Sequence, residues 1–129
     1  MAPVRVSHSA YQLAVGHLME SMRSDGKGLA ECAIHTHGGT KVADVAWASR
    51  EREQIKHEVE CSVAPEVCVE VFSPGNTDKE MHEKRELYFE TDAEEVWYCD
   101  EDGRLSFFDV ESPRSTSRIF PEFSQNIEL

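Results

Sequence analysis

The run Val67-Cys68-Val69-Glu70-Val71-Phe72 is the most β-prone stretch of the chain, and the Ser73-Pro74-Gly75-Asn76 that follows must stop it. The fold therefore has to be built around a sheet. A carboxylate in the middle of such a strand, between Val69 and Val71, must face outward, be paired, or bind a cation. On an edge strand or a wet face Glu70 would simply point to solvent.

The rest of the chain supplies partners for that strand. Between Ser7 and Arg23, Tyr11, Ala14, Val15, Leu18 and Met22 recur at helical spacing, with His17 and Glu20 opposite, the pattern of an amphipathic helix ended by residues 24–28. Leu29 to Thr36 and Val42 to Ala48 read as a strand-turn-strand hairpin about Gly38-Gly39, with Asp44 inside the second strand. Residues 49–65 read as a short helix or loop. Thr77 can cap a second helix, with Glu80 completing a capping box, running to about Thr91. Glu95 to Cys99 and Leu105 to Val110 read as strands around the turn Asp100-Glu101-Asp102-Gly103. This order predicts an α/β or α+β domain with one central sheet flanked by helices.

At 129 residues, of which 40% are hydrophobic, the chain has material for a single domain spanning 1–129. Apolar runs of about four residues fall far short of the ~18 that span a bilayer, and no basic-then-apolar leader follows Met1, so a cytoplasmic, membrane-free protein is expected. Cys32, Cys61, Cys68 and Cys99 form no CxxC pair and read as reduced thiols, those at 68 and 99 as small buried hydrophobes. Thirteen basic against 25 acidic residues give a net charge of −12, with residues 1–50 at +1 and residues 51–129 at −13. That balance argues against tight nonspecific DNA binding by a monomer. It leaves a divalent-metal site open.

Three side chains carry the candidate chemistry. Asp44, between Ala43 and Val45, repeats the anomaly of Glu70 on a neighbouring strand, where Asp has poor β propensity. With adjacent strands ~4.8 Å apart, the two carboxylates could converge on a hard cation such as Mg²⁺, which takes oxygen ligands and keeps several waters. Lys84 falls between Leu87 and Tyr88 on the helix starting at Thr77 and points toward the sheet. It is either a snorkelling lysine held by Glu80 or an ammonium beside the metal site, able to polarise water or offset phosphoryl charge. His35-Thr36-His37 offers a transition-metal alternative without a marked third ligand. No Gly-rich phosphate loop, GxSxG elbow or Cys/His nucleophile is present.

The segment from Pro65 through Glu70 and Ser73-Pro74-Gly75-Asn76, continuing from Glu80 through Lys84 and Tyr88 to Phe89, and then Glu95-Val96-Trp97-Tyr98, resembles the Uma-two family of restriction-endonuclease-type proteins. The likeness takes in residues 42–47 and the tail at 121–123 and 127–129, and is best to a short branch lacking an N-terminal hairpin. That family belongs to the PD-(D/E)XK nuclease superfamily. The resemblance implies a restriction-endonuclease-like core with a central mixed sheet, metal binding by Asp44 and Glu70, and a catalytic lysine at Lys84. In most of the superfamily that lysine stands two residues after the glutamate, where this chain has Phe72. Asp92 stands where the family often has glycine, at a helix end that wants a left-handed residue.

The function expected on this basis is Mg²⁺- or Mn²⁺-dependent hydrolysis of DNA phosphodiesters by Asp44, Glu70 and Lys84. Its rival is a non-catalytic interaction module that keeps the fold, and a third possibility is an enzyme acting on another substrate. A homodimer is expected, with Ile119 and Phe120 of the tail packing across a two-fold axis.

Overall fold

The computed structural model describes residues 5–129. Helix α1 spans Val6–Met22 and is followed by the long hairpin β1 (Gly26–Thr36) and β2 (Gly39–Ser49). A 3₁₀ segment, Arg50–His57, leads to β3 (Val67–Val71). Then come α2 (Asp78–Glu90), β4 (Glu95–Cys99), β5 (Leu105–Asp109) and the two-residue β6 (Pro113–Arg114). The six strands lie in one sheet in the order β1 to β6. Only β3 and β4 run parallel, because α2 crosses over between them. The fold is therefore α+β, a mixed sheet with three helical elements, as the element order predicted.

Alternation along the strands sorts the side chains onto two faces. Val67, Val69 and Val71 face one way with Val45, Trp47 and Trp97, under Tyr11, Val15 and Met19 of α1 and Phe120, Phe123 and Ile127 of the tail. Cys68, Ala46 and Val96 face the other way, under Tyr88 of α2 and Ile55 of the 3₁₀ segment. Thr77 caps α2 as expected, its hydroxyl accepting from the Glu80 amide at 3.1 Å. Asp92 takes φ +76°, the left-handed conformation read from its place after the helix.

Two readings are corrected. Residues 24–28 do not merely end α1, because Gly26 to Gly28 already pair with Trp47 to Ser49, and a Cβ on Gly26 would lie 2.2 Å from the Trp47 ring. Ile119 and Phe120 do not form an exposed patch: Phe120 is buried and Ile119 packs against the same core. The cause is Glu95, a buried carboxylate that accepts from Ser117 Oγ (2.6 Å) and Trp97 Nε1 (2.9 Å) and from the amides of Arg118 and Ile119 (3.0 Å each). These bonds satisfy the charge and fold the tail inward. Among the described residues, no helix is long and apolar enough to cross a membrane.

Candidate active site

The site begins with an interruption in the sheet. β1 and β2 keep a constant register along their length except at one rung, Glu31 opposite Asp44, where Glu31 adopts φ +50°. Facing slips there. Leu29, Ala46 and Ala48 on one side of the rung, and Cys32, Ile34 and Ala43 on the other, all contribute to the α2-side core. Gln12 of α1 repairs the missing rung, its amide donating to the Asp44 carbonyl (2.8 Å) and to Glu31 Oε1 (3.2 Å).

The same position opens a fork between β2 and β3. Their pairing runs from Trp47↔Val67 to Val45↔Val69 and stops, although the next rung would set Asp44 opposite Glu70. The Asp44 side chain closes the gap, Oδ2 accepting from the Val71 amide at 2.8 Å. A carboxylate thus replaces a strand carbonyl, which accounts for an acid inside an otherwise apolar strand.

Glu70 is 2% exposed. Its Oε1 accepts from Tyr88 Oη at 2.9 Å and forms an ion pair with Lys84 Nζ. Lys84 also donates to the Val42 carbonyl at 3.2 Å, so one ammonium spans the fork from β2 to β3. Burial pushes the Glu70 carboxyl up to about 7; Lys84 opposes that shift, the nearby Asp44 charge adds to it, and the bonds from Lys84 and Tyr88 work against it. Tyr88 is pushed well above its ordinary range by the same burial and by the Glu70 charge.

The structure thus gathers Asp44, Glu70 and Lys84 at one place. Glu80 does not join them; it is exposed, with its amide in the α2 cap. His35 and His37 do not share a site: His35 Nδ1 meets Glu60 at 2.8 Å, and His37 lies exposed in the hairpin turn. Two further groups escaped the sequence reading. Tyr88 was legible only as an inward aromatic. His8 lies buried in the first turn of α1 with Nε2 3.6 Å from Asp44 Oδ2, while its buried Nδ1 has no hydrogen-bond partner. Its place ahead of Tyr11 and Val15 on the α1 stripe was the available signal.

The donor set suits a hard cation. The bonds above engage Oδ2 of Asp44 and Oε1 of Glu70, leaving one further oxygen on each carboxylate. Among the described residues, no three His, Cys, Asp or Glu side chains form a metal-sized group. Two carboxylates with water completing the shell is the arrangement Mg²⁺ favours.

The family model for Uma2, described as putative restriction endonuclease, matches residues 1–126. The crystal structure of a putative nuclease belonging to DUF820 from Anabaena variabilis superposes with a TM-score of 0.78, covering 98% of this chain and 80% of that one at 13% identity. At that identity the likeness is one of fold. No curated protein matches the chain.

Proposed function

This chain belongs to the Uma-two family, described as putative restriction endonucleases, and on that premise we propose that it hydrolyses DNA phosphodiester bonds with Mg²⁺ or Mn²⁺. Asp44 and Glu70 would hold the ion. When bound, it would supply Lewis-acid charge for the phosphoryl oxygen and a more acidic water.

The observation that carries the reading is the fork, where two strand acids and one helix amine meet about a shared break in pairing. Asp44 and Glu70 sit on the two branches, and Lys84 reaches both. Tyr88 fixes the Glu70 carboxylate through Oε1. Lys84 is placed to orient water or to offset charge gathering on the phosphate in the transition state.

Supercoiled plasmid incubated with the purified protein and Mn²⁺ tests the proposal. Nicking should appear in the native protein and fall by about 10²-fold or more in Glu70→Gln and in Lys84→Met. Equal cleavage by native protein and both variants would reject the assignment. The net charge of −12 favours a second reading, a fold-retaining module with no catalytic role. Calorimetry with Mg²⁺ and Mn²⁺ separates the two, since the nuclease requires a divalent ion at Asp44 and Glu70 and the module does not.

A further inference from the structure

Away from the fork, two thiols meet. Cys32 comes from β1, and Cys61 from the segment between the 3₁₀ helix and β3. Their Sγ atoms are 3.4 Å apart, and both residues are buried. The backbone sets this contact, because the Cys61 amide donates to the Ala33 carbonyl (2.7 Å) and its carbonyl accepts from the His35 amide (3.0 Å), a single parallel rung beside β1. Cys68 and Cys99 differ: their sulfurs hydrogen-bond to the carbonyls of Pro65 and Asp100 rather than to another thiol.

We propose that Cys32 and Cys61 are an oxidisable dithiol that closes to a disulfide when the protein meets a hydroperoxide. The sulfurs must approach by about 1.4 Å to reach bonding distance. The Cys61 segment can supply that movement: Glu58, Val59 and Ser62 around it are exposed, and it is held to the β1–β2 hairpin by one backbone rung and by the Glu60 side chain on His35 and Thr40. Either sulfur can donate in the contact, so one thiol of the pair is held below the other, and Cys61, flanked by the exposed Glu58, Val59 and Ser62, is the one a hydroperoxide reaches first.

The chemistry balances with the hydroperoxide as sole oxidant. The Cys61 thiolate attacks the terminal peroxide oxygen; an S–O bond forms, the O–O bond breaks, and the alkoxide (hydroxide, for hydrogen peroxide) leaves and takes a proton. Cys32 sulfur then attacks the Cys61 sulfenic acid. An S–S bond forms, the S–O bond breaks, and hydroxide departs as water with the Cys32 proton. Two thiols lose two electrons, and the peroxide becomes an alcohol, or water, plus one further water.

The closed loop would contain all of β2, Asp44 included. Restricting the unfolded chain in this way should raise the melting temperature by about 5–15 °C. The reduced full-length protein is treated with hydrogen peroxide under native conditions, quenched, denatured and digested without reductant. The expected result is a Cys32–Cys61 linked peptide, lighter by two hydrogens than its parts and lost on adding dithiothreitol. Two of the four thiols remain titratable, and the melting temperature rises. A Cys68→Ser variant should give the same peptide, and Cys61→Ser should not. Sulfinic or sulfonic acid at either cysteine without linkage, a link to Cys68 or Cys99, or a link between chains would overturn the proposal. Four unmodified thiols after peroxide that fully oxidises a thiol peptide in the same tube would overturn it equally.

Discussion

Glu70 sets burial against charge. At 2% exposure its carboxyl titrates near 7 rather than 4.5 even with Lys84 against it, so the folded protein holds that proton more tightly than the unfolded chain does. The sign follows from linkage: this contribution is fully present below about pH 4.5 and is lost as the pH rises through about 7. Denaturation of the native protein and Glu70→Gln at both pH values should show the native protein losing on the order of 2–3 kcal/mol relative to the variant. An unchanged difference would contradict the assignment. Both strand acids were legible in the sequence, because a carboxylate among β-branched residues needs a reason. His8 was only half legible: its place on the α1 stripe ahead of Tyr11 and Val15 marks it as inward, but nothing local says that it meets Asp44. The Cys32–Cys61 contact was hidden: thiols 29 residues apart meet only through tertiary pairing.

Among elements, caps and stops followed local chemistry and were read closely. Thr77 starts α2, and Asp92 follows it at φ +76°. Glycine carries no Cβ penalty there, so Asp92→Gly should raise stability by about 0.5–1 kcal/mol, whereas Asp92→Val should lower it; urea denaturation measures both. The fork between β2 and β3 could not be read, because its cause is the broken rung at Glu31 and its repair by Gln12, neither of which leaves a periodic trace. The start of β1 was obscured by Gly26 and Gly28, which look like punctuation yet stand where side chains would strike Trp47 and Glu20. The tail was misjudged for a related reason, as the partner that buries it is the distant Glu95. Glu95→Ala leaves buried donors on Trp97 and Ser117 unsatisfied and should cost about 3 kcal/mol, with faster amide exchange across residues 117–120.

For the whole molecule, one sheet flanked by helices followed from the order of strands and helices, although the two-residue β6 at Pro113–Arg114 was not read, and the mixed sheet arises because α2 makes a crossover between neighbouring strands. That crossover brings Lys84 over the break that Asp44 and Glu70 straddle. The negative charge of −12 is compatible with catalysis only if cations offset part of it as the phosphate backbone approaches. A crystal soaked in Mn²⁺ and measured for anomalous scattering tests that arrangement most directly. A peak is expected between the carboxylates of Asp44 and Glu70, absent from Glu70→Gln crystals. A map with no peak there, or with manganese bound only elsewhere on the acidic surface, would contradict it.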